Sequence, residues 1–565
     1  MRSLTWKLLY VVVLLAMMIP TLVGCGSPQP APTEGPLEEP TAPPSEEPTV
    51  APTPESTTPT GPTVGGTLIW AVTEEPGTLD PHLESRNASS RIEEYFGAAL
   101  VDVDADGNVL PWLAESWTVS DDGLAIDFKL REDVVFHDGT PLTAEDYAWS
   151  FMRAIDPETA STGAGTLLQE LESAEALDGY TLRLHLKSAS FPLVLNLAVA
   201  PWLQPMPQAA FDELGEQFGR EPVGTGPFVF REWVTGDRVV LERNPDYDWG
   251  SAAVHDGPAY LETIEFRFIP EYSTIIAGLE AGEIDLAEIQ AKDKQRLEDT
   301  GMFQFLEQYV PGSGDFVALN TSMPPFDDLN VRKAFNLAVD REVIIQAVYG
   351  GAALASYGPI NKATLGYWDG AEDIGYGFDL EAAQSLMENA GWVDTDDDGI
   401  REKDGQPLQL TMTVGSNYED RVKTVQILQE QYRALGVDIQ IEQLEATTVI
   451  EKVWPGNYEI AVMSMDYPEA DLMAYMFHSS MIGALNMSMV NDPDLDALLE
   501  ATRTTMDPEE RQEKVNEAQQ WLVENAIVVP LYSPTVYLAL SNRFQDARLH
   551  RFSGVPVFVD VYETQ

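Results

Sequence analysis

Apolar residues recur at helical spacing in the second half of the chain and predict two helices there. The first covers residues 380–390, with Asp379 as its N-cap and Gly391 as its stop. The second covers residues 422–435 and is followed, after a glycine, by residues 437–441, in which apolar and polar positions alternate. A helix that leads through a tight turn into a strand is a building unit of an α/β sheet.

Helical and strand patterns also alternate elsewhere in the chain. Residues 126–130 alternate toward a core, Asp138-Gly139 suits a reverse turn, and Thr143 is placed to cap a helix. Near the C-terminus, residues 507–510 put a cap, a first-turn proline and two acidic residues at the positive end of a helix, which leads into the apolar run 526–531. The pattern predicts an α/β protein.

The length of the chain indicates more than one domain. Of the 565 residues, about 500 follow the N-terminal leader and tether described below. A single hydrophobic core stops growing beyond about 250 to 300 residues, so we expect two or three domains.

The first 25 residues have the pattern of an export signal. Arg2 and Lys7 supply a basic start, residues 8–19 form an apolar run, and residues 22–25 (Leu-Val-Gly-Cys) form a cleavage site of small residues. The apolar run is shorter than the roughly 20 residues that a transmembrane helix needs. The pattern therefore predicts a cleaved leader.

Cys25 is the only cysteine in the chain, and the motif that it ends resembles a bacterial lipobox. Acyl chains on its thiol would anchor the protein outside the cytoplasmic membrane, because each buried methylene contributes about 0.8 kcal/mol. A simple signal peptide is one alternative. A catalytic thiol is another, but it needs an activating base in a structured site.

Residues 26–63 are rich in Pro, Thr and Glu and contain neither Lys nor Arg. Such a segment cannot build a core. In extended polyproline II form it would hold a folded body on the order of 100 Å from the membrane. A tether and a non-specific disordered tail are both consistent with this composition.

The formal net charge is −59, from 92 acidic and 33 basic residues. Binding of nucleic acid depends on Lys and Arg that neutralise phosphates, so the composition disfavours a nucleic-acid partner. We expect most of the excess carboxylates to be solvated surface groups. The charge alone therefore does not indicate a cationic ligand.

Six short motifs occur in an order and spacing that resemble one protein family. They are residues 74–81, 113–146, 224–228, 279–285, 319–321 and 325–334. The chain is similar in these motifs to the extracellular solute-binding proteins of family 5, which include oligopeptide-, dipeptide- and nickel-binding proteins of ABC importers. The resemblance covers most of the mature chain.

The resemblance implies an α/β architecture of the class II periplasmic-binding-protein type. Two lobes joined by a hinge are expected, with an extra domain in the N-terminal lobe. The expected boundaries are residues 64–105, 221–310 and 525–565 for lobe 1, 106–220 for the extra domain and 311–524 for lobe 2.

The function that the resemblance implies is capture of a peptide or related small solute. The ligand would pair with the protein backbone as an added strand, and closure would bury it before the protein docks on an ABC permease with separate ATPase subunits. No cofactor is expected, and the protein is expected to be a monomer. Sugars, opines and nickel chelates are alternative ligands on the same fold.

A lipid-anchored secreted hydrolase is the alternative from another functional class. The chain lacks a Gly-x-Ser-x-Gly elbow and the His-Glu-x-x-His spacing of a zinc protease. We therefore do not expect an enzyme.

Asp466 is the strongest candidate for a ligand contact, because it ends the apolar strand pattern of residues 458–465. In peptide-binding members of the family, an aspartate at the matching position receives the α-ammonium group of the ligand. An ammonium in a closed cleft needs such a partner, since an unpaired buried charge costs several kcal/mol. The other interpretation is that Asp466 caps the helix expected after Pro468.

Three aromatic residues are candidates for lining ligand side-chain pockets, namely Tyr467, Trp454 and Trp368. Aromatic side chains offer a large contact area at a small entropy cost. Packing in the core is the alternative for each of them.

Asp394, Asp396 and Asp398, followed by Gly399, resemble the start of a calcium loop. Gly405 stands where an EF-hand has its bidentate Glu. A solvent-exposed acidic hairpin is therefore the alternative, and no other metal site is predicted.

Overall fold

The structure of the protein is a computed structural model that describes residues 62–104, 107–161, 163–551 and 553–564. Its strands are β1 (Thr67–Val72), β2 (Val101–Val103), β3 (Val109–Pro111), β4 (Ala114–Val119), β5 (Ala125–Leu130), β6 (Leu171–Asp178), β7 (Thr181–Leu186), β8 (Phe228–Val234), β9 (Arg238–Arg243), β10 (Thr263–Phe268), β11 (Leu286–Ile289), β12 (Phe303–Tyr309), β13 (Gly312–Leu319), β14 (Ala353–Ala355), β15 (Glu402–Lys403), β16 (Gln406–Pro407), β17 (Gln409–Gly415), β18 (Asp438–Leu444), β19 (Ile460–Asp466), β20 (Val528–Ser541), β21 (Phe544–Gln545) and β22 (Tyr562–Glu563).

The α-helices are α1 (Asn87–Phe96), α2 (Ala144–Ile155), α3 (Ala164–Leu167), α4 (Phe191–Asn196), α5 (Ala200–Leu203), α6 (Gln208–Leu214), α7 (Tyr272–Ala281), α8 (Ala291–Glu298), α9 (Leu329–Leu337), α10 (Arg341–Tyr349), α11 (Gly370–Ile374), α12 (Leu380–Asn389), α13 (Glu419–Ala434), α14 (Ala446–Val453), α15 (Leu472–Phe477), α16 (Pro493–Thr504) and α17 (Pro508–Glu524). Two 3-10 helices cover Gly215–Gly219 and Ser479–Met481.

Strand β20 joins the two halves of a twelve-stranded sheet. Its first part pairs with β13 and β14, and its last part pairs with β11 and β12. The sheet runs in the order β18-β17-β19-β13-β20-β11-β1-β10-β9-β8. We call the half with β1 and β8–β12 lobe 1, and the half with β13, β14 and β17–β19 lobe 2. The chain passes between the lobes after β12 and again within β20.

The core of lobe 2 lies on both faces of its half of the sheet. Every residue of β13 is buried, as expected for a strand that is covered on two sides. Val317 and Leu319 belong to the apolar cluster that includes α9, α12 and α13, whereas Phe316 and Ala318 belong to the cluster that includes α15–α17. The alternation of side chains along a strand explains this division.

A separate antiparallel sheet, in the order β4-β5-β7-β6, forms with α2–α6 what we call the side domain. Ile126, Phe128 and Leu130 alternate into its core and are fully buried, as their spacing predicts. These elements lie within residues 106–220, the segment expected to form the extra domain. The boundaries given for the domains remain predictions.

The predicted helix signals are found at the residues that carry them. The Asp379 side chain accepts from the Ala382 N–H at 2.9 Å, and the Asp507 side chain accepts from two N–H groups of the first turn of α17. Thr143 and Asp146 form a capping box at the start of α2. The predicted helix-turn-strand unit is also present, because α13 leads into β18, which pairs in parallel with β17.

None of the helices in the described ranges has the length and apolar character needed to span a bilayer.

Candidate ligand site between the lobes

A cleft of about 790 Å³ lies between lobe 1 and lobe 2. Residues 290–292, which follow β11, line it from lobe 1, and residues 417–421 at the start of α13 line it from lobe 2. Pro534 and Tyr537 of the shared strand β20 also line it. The cleft therefore lies beyond the carboxyl end of β11, where ligands bind in many open α/β sheets.

A buried ion pair forms the lobe 2 wall of this cleft. Asp315, in β13, is 4% exposed, and the Arg421 Nε donates to its two carboxylate oxygens at 3.0 and 3.2 Å. Arg421 also lies over the Tyr418 ring at 4.5 Å and contacts the Ser464 hydroxyl. Burial raises the pKa of Asp315, and the positive charge of Arg421 limits the rise. The pair holds a positive and a negative group at a fixed place beside the cleft.

Asp466 adjoins this ion pair at the end of β19. Ser464, two residues earlier on the same face of the strand, contacts Arg421. The Asp466 side chain is exposed, and it forms no hydrogen bond or ion pair with any residue that the structure describes. Burial by the surrounding protein raises the pKa of Asp466, Arg421 lowers it, and Asp315 raises it further. The carboxylate is thus open to water on one side and free to receive a cation.

Asp466 does not cap the helix that follows it. That helix, α15, begins at Leu472 and has Asp471 at its N-cap position. The interpretation of Asp466 as a helix cap is therefore wrong. Its role as a ligand contact remains a prediction.

One edge of β19 beside Asp466 is open. Strand β17 pairs with β19 only at Ile460 and Ala461, whereas β13 pairs with it as far as Asp466. The Met465 and Tyr467 N–H groups donate toward the β13 side. Backbone groups alternate between the two edges of a strand, so those of Ser464 point to the other edge, where no described strand pairs. An extended ligand backbone can add to such an edge.

A glycine opposite Asp466 permits close approach of the strands. Gly312 pairs with Asp466 and has a φ of 135°. A Cβ at this position would lie 2.2 Å from the Met465 carbonyl oxygen. Any other residue would therefore displace the end of β19.

Tyr467 is directed away from Asp466, toward the side domain. Its hydroxyl donates to the Asn196 Oδ1 at 2.7 Å, and its ring meets the Tyr475 ring edge-on at 5.6 Å. The ring packs against apolar groups of both the side domain and lobe 2. Tyr467 thus packs in the interface between the side domain and lobe 2. Its role as a ligand contact remains a prediction.

The two predicted tryptophans lie elsewhere in lobe 2. Trp454 follows α14 and packs, partly buried, in the apolar cluster of that lobe. Trp368 is also partly buried, and its backbone N–H donates to the Gln519 side chain at 3.2 Å. Neither is among the residues that line the cleft. Ligand contact by either residue remains a prediction.

The three aspartates of the calcium-like loop converge with a fourth carboxylate, Glu402. One oxygen from each of these four groups lies within 4.8 Å of the others. The loop is also held without a cation, because Asp394 accepts from backbone N–H groups of residues 397 and 399. An antiparallel bridge between Val393 and Glu402 brings Glu402 back to the loop, where its carboxylate accepts from the Thr395 N–H, so spacing along the sequence did not reveal it. Calcium binding remains a prediction.

None of the residues that line the cleft was singled out from the sequence, and its charged members include Asp315, Arg421 and Lys292. A signal for Asp315 was present, since it is the one charged residue within the otherwise apolar and small strand β13. Arg421 and Lys292 lie among other charged residues at helix starts and carry no such signal.

Comparison with known families identifies the chain. Residues 108–483 match the model for bacterial extracellular solute-binding proteins, family 5 Middle. The chain belongs to this family. The resemblance inferred from the six motifs is thereby confirmed, and so is the two-lobe α/β fold class.

Individual family members cover nearly the whole chain. It is 27% identical over 499 residues to the oligopeptide-binding protein AppA of Bacillus subtilis, covering 86% of this chain and 90% of that protein. The structure of AppA in complex with a nonapeptide matches with a TM-score of 0.71 and 26% identity, over 89% of this chain and all of that one. NikA from Brucella suis in complex with Fe(III)-EDTA matches with a TM-score of 0.78 and 27% identity, over 88% of this chain and all of that one.

Cys25, the leader and the tether up to residue 61 lie outside the described residues. Lipid anchoring remains a prediction.

Proposed function

We propose that this family 5 solute-binding protein captures peptides by their amino terminus and delivers them to an ABC permease. The observation that carries the proposal is the position of Asp466, an unpartnered carboxylate at the end of a strand whose edge is open. A peptide offers the two complementary features, an α-ammonium group and an extended backbone with free N–H and C=O groups.

The proposed binding mode uses backbone recognition along the open edge of β19. The ligand ammonium pairs with Asp466, and the following residues pair with the strand on the side away from β13. Backbone pairing does not depend on the ligand's side chains, so it tolerates many peptide sequences. The cleft of about 790 Å³ provides space for those side chains, and it lies within the range typical of small-ligand sites.

The related proteins support both this proposal and its alternative. AppA is an oligopeptide-binding protein, and NikA was solved with Fe(III)-EDTA on the same fold. A metal chelate, sugar or opine is therefore the second candidate class of ligand. Charge favours a peptide ammonium at Asp466, because Arg421, the guanidinium that acts on this carboxylate, is already paired with Asp315.

We further propose that Cys25 is lipidated and holds the protein on the outer face of the cell membrane through the Pro-rich tether. The expected partners are a permease and separate ATPase subunits. The role proposed is binding, not catalysis, and neither a cofactor nor a nucleic-acid partner is part of it. The protein is expected to act as a monomer.

Native mass spectrometry of the purified protein tests the ligand class. We expect peptides to be released on denaturation at about one per protein. In Asp466→Asn they should be lost, because the amide cannot pair with the ammonium as a charge. The matched control is Asp438→Asn, which changes a lobe 2 carboxylate in β18 that accepts from the Gln409 side chain. Release of a sugar or metal chelate, or equal peptide content in both variants, would contradict the peptide proposal.

A further inference from the structure

The side domain touches lobe 2 through an interface that begins at Tyr467, one residue beyond Asp466. Besides the bond from Tyr467 to Asn196, the Gln169 side chain donates to the Tyr475 hydroxyl at 3.0 Å. The Arg511 guanidinium lies 4.5 Å from the centre of the Phe191 ring. Asn196, Gln169 and Phe191 belong to the side domain, so these contacts exist only while it lies against lobe 2.

One arginine at this interface is shared between the two bodies. The Arg503 Nε lies 2.9 Å from the Asp471 carboxylate, which is in lobe 2 and whose side chain is 0% exposed. The Arg503 Nη1 lies 3.5 Å from the carboxylate of Glu170, which belongs to the side domain. Arg503 therefore links lobe 2 to the side domain, and its charge is divided between two acids.

The charges around Asp471 do not balance. The titratable and charged groups close to Asp471 are Arg503, Glu469, Arg511, Tyr467 and Tyr475. They come from the segment after β19 and from α15, α16 and α17. Glu170 of the side domain reaches Asp471 through their shared partner Arg503. With every acid ionised and both tyrosines neutral, three carboxylates face two guanidinium groups. An excess negative charge in a buried interface is unfavourable, and one proton removes it.

We infer that closing the side domain onto lobe 2 takes up one proton at Asp471, and that Arg503 then serves chiefly as an ionic latch to Glu170. The inference rests on the proposed function as a two-lobe binding protein, because it describes how that protein closes. Acidification should therefore tighten closure and thereby favour retention of the ligand. Closure is also measurable without any ligand, so the two proposals can fail separately.

The protonation behaviour of Asp471 supports this inference. Burial raises the pKa of Asp471 to about 6, Glu469 adds to the rise, and Arg503 and Arg511 oppose it. A carboxyl whose pKa is raised on closure favours the closed form most at low pH, and this contribution is lost as pH rises through about 6. If Asp471 has an ordinary pKa near 3.9 in the open form, the closed-to-open ratio changes about tenfold between pH 7 and pH 5.

Distances between two spin labels, measured by double electron–electron resonance on ligand-free protein, test the inference. Labels at Asp212→Cys on α6 and Glu517→Cys on α17, in a Cys25→Ser background, report on the side domain and lobe 2, and both sites are exposed. We expect the short-distance population to grow as pH falls from 7.5 to 5.0, with a midpoint near the pKa of Asp471, about 6. No change, or opening at low pH, would overturn the inference.

Two variants assign the effect to the proposed groups. Asp471→Asn imitates the protonated acid, so it should be closed at both pH values and lose the pH response. Glu170→Gln removes the partner across the interface and should shift the population to the open form at every pH. Asp121→Asn, an exposed side-domain carboxylate, is the matched control and should behave like the parent protein. A parent-like pH response in Asp471→Asn would refute the assignment.

The two proposals remain distinguishable in these measurements. A pH-dependent distance change without any bound peptide in mass spectrometry would support the latch and contradict the peptide function. Bound peptide without a pH-dependent distance change would support the peptide function and contradict the latch.

Discussion

Asp466 and Tyr467 are neighbours in the chain, yet they face two different regions of the protein. The Asp466 carboxylate is exposed near Asp315 and Arg421 and forms no hydrogen bond with the described residues. The Tyr467 hydroxyl is bonded to Asn196 of the side domain, and its ring is packed against Tyr475. One residue of separation thus divides a surface left available for a ligand from a surface already occupied by protein.

The strand geometry of β19 explains this division. Side chains alternate across a strand, so Ser464 and Asp466 share one face while Met463, Met465 and Tyr467 share the other. The face with Asp466 meets the Asp315–Arg421 pair, and the face with Tyr467 borders the interface that we propose as a latch. A polar residue at the end of an apolar strand therefore indicates a ligand site only if the face of the strand that carries it is also known.

The largest effect is expected where the cleft wall depends on a buried charge pair. Arg421→Met should lower the free energy of unfolding by about 3 kcal/mol, because it leaves the buried Asp315 carboxylate without its partner. Urea unfolding measures this. Lys423→Met breaks an exposed pair with Asp420 and should cost less than about 1 kcal/mol. Equal losses in both variants would show that the Asp315–Arg421 pair is not buried in solution.

A slightly smaller free-energy change is expected for ligand binding at Asp466. Asp466→Asn should weaken binding of tri-alanine about 100-fold, or about 2.7 kcal/mol, since the ammonium loses its charged partner. Isothermal titration calorimetry measures the affinity. N-acetyl-tri-alanine lacks the ammonium, so the parent protein should bind it weakly and the variant should not discriminate between the two ligands. Undiminished discrimination in the variant would exclude Asp466 as the ammonium site.

A smaller effect is expected on the other face of β19. Tyr467→Phe removes the hydrogen bond to Asn196, which is worth about 1 kcal/mol, and should weaken closure about fivefold. The affinities for tri-alanine and for N-acetyl-tri-alanine should fall by the same factor, because the residue acts through closure. A loss confined to one ligand would instead make Tyr467 a direct ligand contact.

The smallest effect is expected from the titration of Asp466 itself. Its pKa is raised by burial, and only the ionised form pairs with an ammonium, so affinity should fall as pH drops through that raised pKa. The Asp471→Asn background removes the opposite effect proposed for the latch. In that background the affinity for tri-alanine should be lower at pH 5 than at pH 7, by less than the fivefold change expected for Tyr467→Phe. A rise in affinity over this interval would contradict the assignment.

Much of the local structure was readable from the sequence. The cap at Asp379, the helix start at Thr143 and the alternation in β5 depend only on neighbouring residues, and all three are present. The six motifs were sufficient to recognise the family, because their order survives even where overall identity is low.

Charged partners that are distant in the chain could not be read from the sequence. Arg421 meets Asp315 across 106 positions of the chain, and Arg503 meets Glu170 across more than 300. The local pattern of apolar and polar residues reports only on residues a few positions apart, so it cannot predict either pair. Glu402 shows the same limit at shorter range, because its bridge with Val393 brings it to the acidic loop.

The sequence by itself thus determined the elements, the family and the position of a carboxylate at the end of β19, since propensity, capping and motif order act over short distances. The tertiary structure alone decided that Asp466 lies near the Asp315–Arg421 pair, that Tyr467 packs in an interface and that Arg503 is shared between two acids. The physical reason is that burial and charge pairing depend on which surfaces the fold brings together, and those surfaces come from distant parts of the chain.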